Sequence, residues 1–348
     1  MKDARQSLKE VFPAIFVVSV FTLGCLCLGN GDSDDAEEGS VVEERDRAGD
    51  EELGDPCVLK SAPRGRFVSG ATYQQVDAGM AHTCAIDPQG AVECWGENES
   101  GESDPPSGTF QEISMGREYS CGIDDGGAIE CWGEGINNAL ADKEPPSGNF
   151  QTLAVDGDHA CAIADDDSVQ CWGWGAPNDD RLDLPDGSYE QVMVSSNYTC
   201  ALETSGSIVC RGHEVEQGTM AGVPSGEFKQ ITSGGVHGTS RYDCAINSED
   251  AVVCWGGDSV GGSSPPDGAF MDVSAGFSYS CGLRTDGTLD CWDNINGEHT
   301  DSPAGTYTQL SSHTHHHCAI RDDDRVVCWG SSSPNDHLVP PCEPEDFG

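Results

Sequence analysis

The sequence predicts an all-β fold, a seven-bladed β-propeller of short three- to four-stranded blades, on three observations. A unit of 37 to 42 residues recurs seven times, anchored at Tyr73, Phe110, Phe150, Tyr189, Phe228, Phe270 and Tyr307. Each unit holds three short strand-like runs bounded by Gly, Asp and Pro, and no amphipathic helix of useful length. Fourteen cysteines fall into seven pairs, each ten residues apart. Fixed-period repeats of small sheets, arranged radially, make propellers of about four to eight blades.

Residues 1–24 are expected to be a lipoprotein-type signal peptide. Lys2, Arg5 and Lys9 precede an apolar run from Val11 to Leu23 that is short for a membrane span. Thr22-Leu23-Gly24-Cys25 resembles a bacterial lipoprotein processing site, in which Cys25 is the lipid attachment point; Thr22 stands where that signal usually has Leu. Plain secretion and a retained anchor are the other two readings. The expected location is the cell envelope or surface as a lipoprotein, or the exterior. Residues 25–56 are acidic and lack an apolar period, so they are expected to form a disordered tether. The propeller is expected over 57–342, with a tail at 343–348.

Formal net charge is −44, from 61 acidic and 17 basic side chains. A phosphate backbone is bound through Lys and Arg, so nucleic acid is not an expected partner.

Within each unit, strand one is the aromatic-x-x-aliphatic run, such as Phe110 to Ile113. Strand two surrounds Cys-Ala-Ile, and strand three is aliphatic-x-Cys-Trp. A connector ending in Pro-x-Gly-x-[Phe/Tyr] precedes six anchors, with Pro106, Pro146, Pro185, Pro224, Pro266 and Pro303 in register. It has room for a short fourth strand, with Pro confined to the edge.

The expected pairs are Cys84 with Cys94, Cys121 with Cys131, Cys161 with Cys171, Cys200 with Cys210, Cys244 with Cys254, Cys281 with Cys291, and Cys318 with Cys328. An even count in an exported chain reads as a disulfide framework. If the turn is centred at Gln89, Cys84 faces Cys94 across an antiparallel hairpin and Ile86 faces Val92. Closing such a loop is worth roughly 3 kcal/mol in the chain-entropy model. Pairing between neighbouring repeats is the alternative. Cys57 and Cys342 flank the repeats; a bond between them acts as a clasp on a closed ring.

The run Ala78-Gly79-x-x-His82-Thr83-x-Ala85-Ile86-x-x-x-Gly90-x-Val92-x-x-Trp95-Gly96-x-Asn98-x-x-Gly101 resembles the repeat of the regulator of chromosome condensation family. The resemblance covers residues 73 to 330 and is specific in the first copy. It implies a seven-bladed propeller. Later copies depart: Arg211 replaces Trp in the fourth and Asp293 replaces Gly in the sixth. The short period is also similar to the secreted bacterial propeller that inhibits β-lactamases by protein–protein contact. The nuclear exchange-factor activity of the family's founder does not carry over to a chain with an export signal and a disulfide framework.

Two residues before each first cysteine stands a His or Tyr: His82, Tyr119, His159, Tyr198, Tyr242, Tyr279 and His316. These seven are either an aromatic, hydrogen-bonding rim for recognition or a repeated packing position inside each blade. The resemblance implies the second, because His belongs to the family's repeat consensus. Trp174, in a polar connector, and His237, in a five-residue insertion in the fifth copy, complete the candidate binding rim. His313, His315, His316 and His317 raise Zn or Cu binding, against a chance polar loop. The acidic turns Asp124-Asp125, Asp165–Asp167, Glu249-Asp250 and Asp322–Asp324 raise calcium, against ordinary turn chemistry. Neither pattern has a metal site's spacing, so no metal or cofactor is expected. No catalytic constellation is identified, and an enzyme is not expected.

The leading expectation is a binding scaffold that recognises a protein partner through one propeller rim. Carbohydrate or cell-wall binding through Trp174 and the Tyr positions is second. An extracellular hydrolase or lyase is third and requires a carboxylate cluster at the central channel. The clasp is directly testable: non-reducing peptide mapping is expected to recover Cys57 joined to Cys342, and Cys57 joined to any other cysteine contradicts it.

Overall fold

The computed structural model describes residues 67–134, 144–157, 159–173, 180–212, 222–234, 242–256, 264–276, 279–293, 302–314 and 316–330. The expected leader and tether, Cys25, Cys57, Trp174, His237, His315 and Cys342 lie outside them.

Each repeat folds as an antiparallel sheet of three strands in sequence order. Blade one is β2 (Gln75–Ala78), β3 (His82–Ile86) and β4 (Val92–Gly96). Blade two is β5 (Phe110–Met115), β6 (Ser120–Asp124) and β7 (Ile129–Trp132). Blade three is β8 (Phe150–Val155), β9 (His159–Ala164) and β10 (Val169–Gly173). Blade four is β11 (Tyr189–Ser195), β12 (Tyr198–Glu203) and β13 (Ile208–Gly212). Blade five is β14 (Phe228–Gly234), β15 (Tyr242–Asn247) and β16 (Val252–Gly256). Blade six is β17 (Phe270–Ala275), β18 (Tyr279–Arg284) and β19 (Leu289–Asp293). Blade seven is β20 (Tyr307–Ser312), β21 (His316–Arg321) and β22 (Arg325–Gly330), with a fourth strand, β1 (Phe67–Thr72), from the N-terminal side of the repeats.

The inner strand shows why the aromatic-x-x-aliphatic run repeats. In β5 the anchor Phe110 and then Ile113 and Met115 are buried, while Gln111 is exposed and Glu112 and Ser114 are half-buried. The middle strand is buried along nearly its whole length, for example all six residues of β9. No blade owns a core. Cys84 and Ile86 of blade one pack with Phe110, Ile113 and Trp132 of blade two. The same sharing recurs around the ring, and Cys318, Ile320 and Val326 of blade seven pack with Tyr73, Val76 and Trp95 of blade one.

The two cysteines of each repeat stand directly opposite one another on strands two and three, and Ile86 faces Val92. Disulfides join Cys84 to Cys94, Cys121 to Cys131, Cys161 to Cys171 and Cys200 to Cys210. They also join Cys244 to Cys254, Cys281 to Cys291 and Cys318 to Cys328. Each bond therefore stays within its repeat, and none links neighbouring blades. The Cα atoms of each pair are 4.0–4.1 Å apart. The two sulfurs do not share one environment. Cys121 and Cys161, on middle strands, are fully buried, whereas their partners Cys131 and Cys171, on outer strands, are half-buried. Cys210 and Cys291 are more covered, at 6 and 8% exposed.

The intervening turns need one residue in the left-handed region. Glycine serves at Gly90, Gly127, Gly206 and Gly287, and aspartate at Asp167, Asp250 and Asp324, with φ of 64–66°. The amide of each following anchor donates to the carbonyl of that residue: Phe110 to Gly90 at 2.8 Å, Phe270 to Asp250 at 2.8 Å, and, across the join, Tyr73 to Asp324 at 2.7 Å.

That last bond is one of several that close the ring. Gln309 of β20 accepts from the Val76 amide at 2.9 Å and donates to its carbonyl. Ser311 accepts from the Ala78 amide at 3.0 Å and donates to Asp77 at 2.7 Å. β1 lies antiparallel on β22, with Phe67 opposite Cys328 and Thr72 opposite Arg325.

Candidate functional site

The propeller encloses a central channel, walled by the seven inner strands, with a polar cavity of about 270 Å³. Its lining reaches from Gln191, Gln230, Asp272 and Gln309 up to Asp156, Gly276, His313 and Thr314, in the loops between strands one and two. The cavity therefore meets the rim formed by the described loops between strands one and two, His313 among them.

Alternation along the inner strand puts the second and fourth residues after the anchor on the channel wall. The first of these positions holds Gln75, Glu112, Thr152, Gln191, Gln230, Asp272 and Gln309. Most of their side chains reach the backbone of the next blade. Gln75 accepts from the Ile113 amide and donates to its carbonyl, both at 3.0 Å. Gln191 does the same to Ile231 and Gln230 to Val273. Glu112 accepts from Leu153 N at 3.0 Å and Thr152 Oγ1 at 2.7 Å. Asp272 accepts from Leu310 N at 3.1 Å. The second position adds rungs: Asp77 accepts from Met115 N, Ser114 from Val155 N and Thr232 from Ala275 N. The sequence reading did not weigh these wall residues. A polar side chain at the second residue after all seven anchors, next to an aliphatic one, was the pattern that held them.

Asp77, Glu112 and Asp272 thus stand on the inner-strand wall, where a hydrolytic site would need them, and each holds the adjacent blade; a further carboxylate, Asp156, lines the cavity at its loop end and accepts from Gly157 N and from Ser196 Oγ of blade four. Burial pushes the Asp77 carboxyl up to about 6, against hydrogen bonds from Ser311 and Met115 that lower it. Burial likewise pushes Glu112 up to about 7, opposed by its bonds from Thr152 and Leu153 and reinforced by the charge of Asp77. Asp272 is raised for the same first reason. An acid that binds backbone N–H groups from the wall supplies architecture in the arrangement seen, not a free nucleophile or base.

The seven His/Tyr positions sit between blades and are 0–4% exposed. His82 Nε2 bonds Ser120 Oγ, His159 Nε2 bonds Thr199 Oγ1 and His316 Nε2 bonds Thr83 Oγ1, each at 2.8 Å. The Tyr198 hydroxyl donates to Asp243 Oδ1 at 2.7 Å, Tyr242 to the Tyr279 carbonyl at 2.7 Å and Tyr279 to the His313 carbonyl at 2.7 Å. Tyr119 is packed with Trp172 in the layer between blades two and three. These residues form an inter-blade belt, and buried rings offer no surface for a partner or a sugar to stack on. Their rings explain the glycines beside them: a Cβ on Gly79 would lie 2.5 Å from the His82 ring, and one on Gly276 2.6 Å from Tyr279.

The described members of the histidine cluster have separate partners. His316 turns to Thr83, while His317 stacks on Trp329 with centroids 5.1 Å apart and bonds Ser312 Oγ at 2.8 Å. Among the described residues no three His, Cys, Asp or Glu side chains gather as a metal site. The acidic turns spend oxygens on their own backbone: Asp124 Oδ1 accepts from Gly126 and Ala128 amides, both at 2.8 Å. Arg211, in the Trp position of blade four, is exposed.

No protein-family model matches this sequence. No curated protein matches it either. Solved structures match the fold. The CRINKLY WD40 ectodomain of the Arabidopsis thaliana receptor kinase ACR4 superposes with a TM-score of 0.62 at 21% identity, over 77% of this chain and 98% of that one. The ectodomain of the Physcomitrella patens receptor kinase CR4 gives 0.60 at 22%, over 76% and 74%. Human WBSCR16 gives 0.56 at 15%, over 76% and 88%. At these identities the likeness establishes the propeller.

Two outcomes follow from the belt and the wall. Thr83→Val removes the hydroxyl that joins His316 across the ring closure, and is expected to lower stability by about 1–3 kcal/mol. A thermal midpoint unchanged in the oxidised protein contradicts this. An acid whose folded pKa exceeds its unfolded value holds extra protons when folded, so stability falls as pH rises through that interval. For Glu112 the interval runs from the ordinary 4.5 to about 7. Glu112→Gln, the residue found at the same place in four other blades, is expected to raise stability at pH 8 by on the order of 1–3 kcal/mol and to flatten the pH 5–8 dependence. Urea melts across that range check it, and a less stable variant at pH 8 contradicts it.

Proposed function

We propose that this protein is an exported binding scaffold that recognises a protein partner through the rim carrying the loops between strands one and two. The observation that carries this reading is the internal use of the repeated polar positions. The Gln, Asp and Glu wall and the His/Tyr belt are occupied in joining blades, so recognition falls to what differs between copies. Differences concentrate on that rim: Gly116-Arg-Glu118, Ser196-Asn197 and residues 235–241, which contain the five-residue insertion, all lie between strands one and two. Loops on a rigid frame are where binding residues concentrate.

Seven disulfides fit an oxidising, extracellular setting. Two of the similar structures are ectodomains of receptor kinases, which accords with recognition outside the cell. No helix among the described residues is long and apolar enough to cross a membrane. The Thr22-Leu-Gly-Cys25 sequence supports attachment through a lipid on Cys25, with residues 25–56 as the tether. The acid excess favours a basic partner surface and salt-sensitive association.

The test is affinity capture from envelope and surface extract with the wild type and a variant lacking residues 236–240, which removes the five extra residues and leaves two between the paired Gly234 and Tyr242, as between Ser195 and Tyr198 in blade four. The expected result is a specific partner whose recovery falls about tenfold or more in the variant, with the thermal midpoint retained. Equal recovery by both proteins would overturn the assignment of the rim.

A further inference from the structure

Blades five and seven carry the same third strand. β16 and β22 both read Val-Val-Cys-Trp-Gly, at residues 252–256 and 326–330. They differ in what lies beyond them. β22 has β21 on one side and β1 on the other. β16 ends its sheet, with β15 as its paired neighbour among the described residues.

The added strand changes the environment of identical residues. Beside β1, Val326, Val327, Cys328 and Trp329 are 0, 3, 0 and 2% exposed. In blade five, Val253 and Cys254 are only half-buried, and Val252 is 9% exposed. A strand at a sheet edge presents unpaired N–H and C=O groups, and proteins guard such edges with charge. Blades one, two and six place Glu93, Glu130 and Asp290 where β16 has Val253; blade three places Gln170 there. Blade four has Val209, followed two residues later by exposed Arg211. β16 alone repeats the Val-Val-Cys-Trp-Gly run of the occupied edge, with Val253 uncharged where Val327 is uncharged, and has Ala251 where β22 begins with Arg325.

We propose that the outer edge of β16 is a docking site for an extended segment of a protein partner, taken up antiparallel as a fourth strand of blade five. The occupant's chemistry is read from β1, Phe67-Val-Ser-Gly-Ala-Thr72, which is uncharged and rich in small residues and follows Arg64 and Arg66. The segment is therefore apolar and small along the strand and basic at its N-terminal flank, complementary to a chain of net charge −44. The register transfers from blade seven. Phe67 lies opposite Cys328 and Val68 opposite Val327, so the equivalent residues of the partner face Cys254 and Val253. The hydroxyl of Ser69 accepts from the Val326 amide at 3.0 Å; a Ser at the same place meets the Val252 amide. Main-chain bonds supply affinity in such augmentation, and the side chains flanking the strand supply selectivity.

This surface is on the circumference, away from the loop rim, and its test uses a defined peptide, so its failure leaves the rim assignment standing. A labelled peptide with the sequence of residues 64–72 is titrated into the intact oxidised protein, and hydrogen exchange is followed at both edges. The expected result is binding with slowed exchange at residues 252–256, weakened about tenfold or more by Val253→Glu and unaffected by Val209→Glu. Glu is tolerated at this place in blades one and two, and Val253→Gln, as in blade three, is a second variant with an intermediate loss. No binding up to about 1 mM, equal binding to Val253→Glu, or protection confined to residues 325–330 through exchange with β1 would each overturn the proposal. Dimerisation that Val253→Glu abolishes would assign the edge to a second copy and likewise overturn it.

Discussion

Every blade of this molecule buries its apolar face chiefly against the next blade, with connector residues such as Leu184 and Val223 at the margin. A three-stranded sheet of such short strands is marginal alone, because too little area leaves water. The Cys pair and the middle-strand aliphatics of one repeat meet the anchor aromatic and inner-strand aliphatics of the following repeat, and this is repeated seven times. Such an arrangement has no natural end except closure. The contact of blade seven with blade one, and β1 laid along β22, are consequences of that constraint.

Closure then dictates where polar groups go. Seven inner strands converge on an axis, and their backbone amides face neighbours too far away for a continuous ladder. Gln, Glu and Asp on the wall bridge that gap, most completely where a carboxamide supplies both donor and acceptor. Between blades three and four the wall is thin: Thr152 is turned to Glu112, and Ala154 has no hydrogen-bonding side chain. That seam is joined by His159 to Thr199 between the blades and by Ser196 to Asp156 at the loop end of the cavity. The carboxylates of the channel are raised in pKa because they are walls before they are anything else.

The architecture was legible because it is written in periodic signals. Aromatic anchors, Cys pairs ten apart and Gly or Asp turns each mark one strand end or one hairpin, and seven copies average out the exceptions at Arg211 and Asp293. The cysteine spacing alone left pairing within and between repeats open; the register that sets Cys121 opposite Cys131, and Cys281 opposite Cys291, places both sulfurs in one sheet. The His/Tyr position was legible as a repeated feature but not as a location, since alternation on a strand does not say which face meets the adjacent blade. In the folded chain it is buried, with hydroxyl partners such as Ser120 and Thr199 across the seam. The wall residues were hidden by their variety: Gln, Glu, Thr and Asp occupy one position, and a side chain that reads backbone leaves no partner pattern in sequence. Trp174 and His237, the non-repeating candidates, fall outside the described residues, so their roles rest on the sequence.

A frame whose wall and belt residues are spent on joining blades directs the proposals for recognition to its irregularities, the loops of one rim and the edge of blade five. Shared cores and a closed circuit of contacts require the ring to behave as one unit despite seven separate sheets. Native-state hydrogen exchange of the oxidised protein in rising denaturant measures this most directly. If closure couples the blades, the slowest amides of β3, β6, β9, β12, β15, β18 and β21 share a single opening free energy. If the blades instead open one after another from either end of the sequence, each with its own lower free energy, the ring is an open array and the account is contradicted.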